Sequence, residues 1–461
     1  MRRAMVAAVA VLGVYGAACQ APPVAEPGTT AFVNVSVIPM DREGVVPNQT
    51  VIVVDDVIRE MGPADEIVVG EGATVVAGEG RFLMPGLAEM HAHVPPGANP
   101  PRDQVEDILF LYVANGITTI RGMLGSDYQL PLAAEIERGD VLGPTFYVGA
   151  PSINGNSAPT PEAAEELVRR HAEAGYHLQK IHPGVSLDTW NHMAEVAGEV
   201  GLTFGGHVPA DVGLEHALRT GMSTVDHLDG YVQAVASGEV QEQINAGAID
   251  LEGLLAGVNA ARIGEVVALT VDEDAYVVPT MYLWENLYRG ADPDAFLSLP
   301  EMRYVSDAQK EAWRQQGSGG PQGSPEALDA FFDLRKGILK SLVDAGAGVL
   351  MGTDSPQLYN LPGFALHREI AVMAESGMTP HQILESGTVA VGRYVRDHLG
   401  LDGAFGAVAP GQRADLLLLE SNPLDDLGDL TDRVGVMVRG RWLPEQEIQA
   451  GLEEIAAKHA G

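Results

Sequence analysis

Cysteine is nearly missing. Cys19 is the single cysteine among 461 residues, so no disulfide can form within the chain and a metal site can draw on at most one thiolate. Positive charge is also scarce: 28 Lys and Arg stand against 63 Asp and Glu, a formal net charge of −35 at pH 7. So acidic a surface repels nucleic acid and anionic lipid headgroups, which argues against both as partners. No internal repeat is found. What remains is an ordinary globular balance, 46% hydrophobic and 20% charged, with material for a large core. The length allows several domains, but a single α/β barrel can absorb about 250 residues.

The chain opens as an export signal would. Arg2 and Arg3 precede an apolar run from Ala4 to Tyr15, too short to serve comfortably as a permanent membrane span, and Gly16-Ala17-Ala18 stand before Cys19. Small residues before a lone cysteine resemble a bacterial lipoprotein cleavage box, although Gly16 stands where a branched apolar residue is usual. Residues 1–19 therefore read as a leader and Cys19 as a lipidation site. Residues 20–30, rich in Pro, Ala and Thr, read as a tether. The expected location is the periplasm or the cell envelope, with a lipid anchor as the membrane contact.

Residues 31–84 carry short β-branched runs, Ala31–Ile38, Thr50–Val54, Glu66–Val69 and Thr74–Val76, with a hairpin turn at Asp55-Asp56. From Phe82 onward strands and helices alternate, the pattern of parallel βαβ units. Eight strand candidates follow: Phe82–Met84 with Ala88–His91, Thr118–Arg121, Phe146–Val148, Leu178–Ile181, Thr203–Gly206, Thr224–His227, Tyr276–Pro279 and Val349–Gly352. Insertions at Gln233–Leu269 and Glu285–Pro325 are long enough to cover the active face of a barrel. β character returns at Phe405–Val408, Ala414–Leu419 and Val434–Arg439, before a helix from Pro444 to His459. The expected fold is α/β, a (β/α)8 barrel over residues 85–400. A β-domain built from both ends, 31–84 and 401–443, lies beside it, and 444–461 form a terminal helix.

Chemistry gathers at the ends of those strands. His91 and His93 are two apart, so on a strand both imidazoles reach the same side. Lys180, His207 and His227 end the fourth, fifth and sixth strands, and Asp354 ends the eighth. Taken singly, each has a plain alternative: a lysine paired with a carboxylate, a hydrogen-bonded core histidine, an aspartate capping a helix. An unmodified lysine is a poor ligand, but a buried one of lowered pKa can take up carbon dioxide as a carbamate. Together, the residues mark the C-terminal face where barrel enzymes keep their active sites. A nitrogen- and oxygen-rich set without thiolate suits zinc first, then manganese, cobalt or iron.

Order and spacing resemble the amidohydrolase superfamily, and within it the imidazolonepropionase-like branch of metal-dependent prolidases and amidases. The resemblance runs through Pro85-Gly86-Leu87, His91-x-His93, Gly116-Ile-Thr-Thr-Ile-Arg121, Lys180-Ile181-His182, Gly206-His207, Asp226-His227, Gly352-Thr353-Asp354 and Pro410-Gly-Gln-Arg-Ala-Asp415-Leu416. It implies a barrel beside a β-sandwich made from both chain ends. It further implies that His91, His93 and Asp354 hold one divalent ion, that His207 and His227 hold another, and that carboxylated Lys180 bridges them. In that scheme a metal-bridging hydroxide attacks an amide carbonyl, and Asp354 carries the proton to the leaving amine. The bridging lysine favours the binuclear peptidases and amidases over mononuclear deaminases. Glu89, Gly122 and Ser386 depart from the family pattern without touching a ligand position.

The substrate is expected to be a small-molecule amide, a dipeptide of Xaa-Pro type or an N-acyl amino acid. A cyclic amide or lactone is the alternative, and a binding lipoprotein without activity a distant third. His182, Tyr231, Tyr282, His367 and Arg368 are the candidates for holding a carboxylate at the barrel mouth. The resemblance also implies a homo-oligomer.

Overall fold

The computed structural model describes residues 24–237, 240, 250–290, 292–317 and 319–459. The leader, Cys19, the first part of the tether and residues 238–239 and 241–249 of the Gln233–Leu269 insertion lie outside the described residues. Among the described residues no helix is long and apolar enough to cross a membrane.

The strands run in chain order as β1 (Thr29–Val37), β2 (Val46–Val54), β3 (Val57–Pro63), β4 (Thr74–Ala77), β5 (Phe82–Pro85), β6 (Leu87–Ala92), β7 (Ile117–Gly122) and β8 (Thr145–Val148). Then come β9 (Gln179–Ile181), β10 (Phe204–Gly206), β11 (Thr224–Asp226), β12 (Tyr276–Val278), β13 (Gly348–Val349), β14 (Leu416–Leu419), β15 (Arg433–Val438) and β16 (Arg441–Pro444).

Both ends of the chain build one eight-stranded sheet, ordered β16-β15-β14-β5-β1-β2-β3 with β4 beside β1. Period-two alternation decides its faces. On β1, Phe32, Val35 and Val37 enter one apolar cluster, while Ala31 joins Ile52 and Val54 in another. β14 is four leucines, all buried. Leu416 and Leu418 pack into the sheet's own core, whereas Leu417 and Leu419 face the main core of the molecule. β14 thus helps fasten the sheet to the rest, together with Met84 of β5, Val436 and Val438 of β15 and Leu443 of β16, each leucine contributing up to about 2 kcal/mol of burial. The closing turn of β15 and β16 needs Gly440: its φ is 76°, and a Cβ there would stand 1.6 Å from the Asp55 carbonyl oxygen.

The remaining strands are parallel with their sheet neighbours and alternate with helices. They form a three-stranded sheet, β6-β7-β8, and a five-stranded one, β13-β12-β11-β10-β9. Backbone bonds join the two sheets at both margins. Ala150 N–H donates to Leu178 O at 2.8 Å and Ile153 N–H to Lys180 O at 2.9 Å. On the other side Met90 N–H reaches Met351 O at 2.8 Å, Asp354 N–H reaches His91 O at 2.8 Å, and His93 N–H reaches Ser355 O at 2.7 Å. Local signals set the helices. In Pro161–Ala174, Thr160 Oγ1 accepts the Ala163 N–H, Pro161 occupies the first turn, and Gly175 ends the helix at φ 88°.

Several sequence expectations are corrected. Phe82–Met84 does not share a strand with His91: Gly86 N–H bonds to Asp415 O, and the chain changes sheets there. Glu66–Val69 and Phe405–Val408 form no strand, and β16 was not anticipated. Val68 is largely exposed, so its β-branched character has no sheet to serve.

Candidate metal centre

The sequence-flagged residues converge where the parallel strands end. His91 lies on β6 and His93 just beyond it. Lys180 is the middle residue of β9, His207 follows β10, His227 follows β11, and Asp354 lies five residues past β13. Register brings Lys180 beside Gly205 of β10. Gly206 (φ 127°) lets the lysine pass: a Cβ there would sit 2.6 Å from Ile181 O and 3.0 Å from Lys180 Cδ. His227 and Asp354 themselves sit at φ 64° and 66°, left-handed positions held by their surroundings. Arg335 Nη2 donates to His227 O at 2.6 Å, and Asp354 N–H is fixed on His91 O.

Asp354 is the hub. Its Oδ1 lies 2.6 Å from His93 Nε2 and 3.5 Å from His91 Nε2, and its Oδ2 lies 3.8 Å from His227 Nε2. One atom from each of His91, His93 and Asp354 falls within 4.8 Å of the others, a grouping able to hold a metal ion. Lys180 Nζ is 3.3 Å from His91 Nε2 and 3.9 Å from Asp226 Oδ2. The His91 and His207 rings each lie with their centroids 4.5 Å from that of His227, so five side chains line one recess with Asp354.

The far nitrogens of three imidazoles meet oxygens. His207 Nδ1 donates to Asp229 Oδ2 at 2.7 Å, and a carboxylate can only accept, so Nε2 keeps its lone pair. His227 Nδ1 lies 2.6 Å from Thr280 Oγ1. His91 Nδ1 is 2.9 Å from Asp226 Oδ2, close but not aligned as a hydrogen bond. Carbonyl or carboxylate partners on the outer nitrogen are how metal-binding histidines are oriented. Asp226 is in turn gripped by Arg121, whose Nη2 lies 3.3 Å from its Oδ1, while Arg121 Nε donates to Met90 O at 2.7 Å. Both groups are completely buried.

Burial disfavours the charged form of three of the donors. It pushes the His91 and His227 imidazoles well below the usual range, with Lys180 and His207 respectively adding like-charge repulsion. It also lowers the Lys180 ammonium, against the pull of Asp226 and Asp354. The buried His227 Nε2 and His93 Nδ1 have no hydrogen-bond partner. Imidazoles with an unpartnered buried nitrogen beside a carboxylate fit a divalent cation.

The substrate candidates divide. His182 stacks on His207 at 5.0 Å, its pKa pushed down to about 3 by burial and by Lys180, and lines a cavity of about 400 Å³ with Ser152, Asn154 and Asn156. Tyr231 is not brought there: it is wholly buried, its hydroxyl on Thr270 Oγ1 at 2.8 Å. His367 is half-buried, its pKa lowered to about 4 by desolvation and by the Arg433 charge. It lies nearly opposite Glu369, which is two residues further along their helix and whose carboxylate accepts the Met281 and Tyr282 N–H groups. Tyr282 packs under Arg368, which pairs with Glu301. Sequence reasoning passed over Asp229, Thr280, Arg335, Glu369 and Trp284, whose ring lies 5.4 Å from that of His227. Only Asp229, two residues past a ligand-bearing position, carried a local signal.

Parallel strands whose ends gather imidazoles, a lysine and an aspartate make a centre able to hold a metal ion, and the chain belongs to the amidohydrolase family, whose model matches residues 82–443. Adenine deaminase 3 of Rhizobium meliloti is 23% identical over 424 residues, an alignment covering 88% of this chain and 56% of that protein. The chain thus spans little more than half the length of that curated relative. Among solved structures, bottromycin amidohydrolase shares the fold at TM-score 0.69 and 21% identity, covering 94% of this chain and 91% of its own. A putative prolidase from Bifidobacterium longum does so at TM-score 0.62 and 22% identity, covering 93% and 98%.

Proposed function

We propose that the chain hydrolyses amide bonds in dipeptides of Xaa-Pro type or in N-acyl amino acids, with a pair of divalent ions, zinc first among them. The observation that carries this reading is the convergence of His91, His93, His207 and His227 with Lys180 on Asp354. His91, His93 and Asp354 would hold one ion, His207 and His227 the other, and Lys180 as a carbamate would lie between. Bound ions would polarise the amide carbonyl and lower the pKa of the attacking water.

The chain's own residues do the rest. Buried Lys180 is held toward its neutral amine, the form that adds to carbon dioxide, releasing one proton as the N–C bond forms. Asp354, which lies against His91, His93 and His227, would take a proton from water and return it to the leaving nitrogen. His182, stacked on His207 and lining a hollow with Ser152, Asn154 and Asn156, would meet the polar end of a substrate. The backbone bonds at both sheet margins support a closed (β/α)8 barrel over 85–400, and the two-ended sheet supports the accompanying β-domain over 31–84 and 401–443. Export, a lipid on Cys19 and homo-oligomerisation complete the proposal; they rest on the sequence.

A second reading is hydrolytic deamination, favoured by the likeness to adenine deaminase 3. The test is a panel of Xaa-Pro dipeptides, N-acyl amino acids, cyclic amides, lactones and adenine, offered to zinc-loaded enzyme. Release of free amino acid supports the proposal. Ammonia from adenine alone, or ring opening alone, overturns it.

A further inference from the structure

Behind His227 lies a buried relay that amide hydrolysis as proposed does not use. β12 ends at Val278, and Thr280 then adopts φ 43° with its side chain wholly buried. A left-handed backbone is strained for a β-branched residue and must be held by its surroundings. Helix Met281–Arg289 starts at the next residue, yet Thr280 makes no side-chain cap to it. Glu369, from helix Phe364–Glu375, supplies the cap instead: Met281 N–H donates to Oε1 and Tyr282 N–H to Oε2, each at 2.8 Å. Glu369 is fully buried. The Thr280 hydroxyl is left free of helix duty and meets His227 Nδ1 at 2.6 Å.

We infer that Glu369 is a positioning residue for His227, acting by capping the helix in place of Thr280 so that the Thr280 hydroxyl can fix the imidazole tautomer. With Thr280 Oγ1 accepting from Nδ1–H, Nε2 keeps a lone pair, and it is this buried, unpartnered atom that faces Asp354 Oδ2 across 3.8 Å. In the opposite tautomer the Thr280 hydroxyl would donate to Nδ1 instead, and the buried Nε2–H would lack a hydrogen bond, since Asp354 Oδ2 at 3.8 Å lies beyond hydrogen-bond distance. A carboxylate suits the cap because two adjacent N–H groups are taken by its two oxygens. The inference rests on the reading of His227 as a metal ligand.

The test uses the full mature chain with Thr280→Val, Thr280→Ser and Glu369→Ala. In the metal-free protein, nitrogen-15 histidine spectra should show His227 protonated on Nδ1, the signal being assigned by its loss in His227→Gln. Thr280→Val and Glu369→Ala should lose that single tautomer and bind zinc about 10- to 100-fold more weakly in a chelator competition. Thr280→Ser should restore both. If Glu369→Ala keeps the wild-type tautomer and zinc affinity and merely melts earlier, Glu369 serves the fold alone and the inference falls. If Glu369→Ala does not fold, Glu369→Gln, with one accepting oxygen instead of two, is read in the same way. Failure of the wild type itself to bind zinc would overturn the metal-centre reading. The tautomer spectra would still decide the relay.

Discussion

Lys180 Nζ and His91 Nε2 face each other across 3.3 Å in a part of the core that solvent does not reach. An ammonium there would donate to the Nε2 lone pair that a cation would need, and burial favours the neutral amine. A carbamate at that position requires carbon dioxide. Metal-free protein reloaded with zinc in carbon-dioxide-depleted buffer should therefore regain little activity, and added bicarbonate should restore it. Equal recovery in both buffers would remove the carbamate from the account.

Asp354 is the proposed proton carrier and lies against His93, His91 and His227. Asp354→Asn preserves shape but cannot accept a proton, so kcat should fall by about 10²–10⁴-fold with the fold intact. Steady-state kinetics beside a far-ultraviolet circular dichroism spectrum checks this. A variant retaining a tenth or more of wild-type kcat would assign the proton transfer elsewhere.

Arg121 and Asp226 are an ion pair with no exposure on either side. Removing one partner leaves the other charge buried alone, a loss of roughly 3–5 kcal/mol. Asp226→Ala should lower the denaturant midpoint accordingly, and the double change Arg121→Met with Asp226→Ala should recover part of that loss. A midpoint within error of wild type for the single variant would show that the pair carries no stability.

Glu369 sets a pH dependence. Burial raises its carboxyl from the usual 4.5 to about 7, opposed by the Tyr282 and Met281 N–H groups and by Arg335, with Glu285 adding repulsion. Because the folded value lies above the unfolded one, the group's stabilisation is whole below about pH 4.5 and is lost as pH rises through about 7. Denaturant midpoints of the wild type, referenced to Glu369→Gln, should fall across that window and level off above it. A rise across the same window would contradict the assignment.

Much of this was legible before any coordinates. His91, near the end of β6, and His93 just beyond it could be set on one side because alternation is a period of two, and seven of the strands could be placed because βαβ units repeat; of the eighth candidate, Val349–Gly352, only Val349 lies in a strand. The relay partners were not legible, since Thr280 and Glu369 are far apart in sequence and meet only through the start of one helix. Tyr231 misled for a related reason. Its position beyond a ligand-bearing strand says nothing of direction, and its hydroxyl turns inward to Thr270. Phe82–Pro85 misled because apolar β-branched or aromatic runs look alike whichever sheet receives them; the switch at Gly86 is a tertiary event.

The most direct test of the account is metal content by elemental analysis of purified wild type beside Lys180→Ala. The account gives about two equivalents in the wild type, as two-metal hydrolytic sites hold, with a sharp fall in the variant and no loss of fold. One equivalent, unchanged by the substitution, would contradict a lysine-bridged pair and leave a single-metal centre on His91, His93 and Asp354.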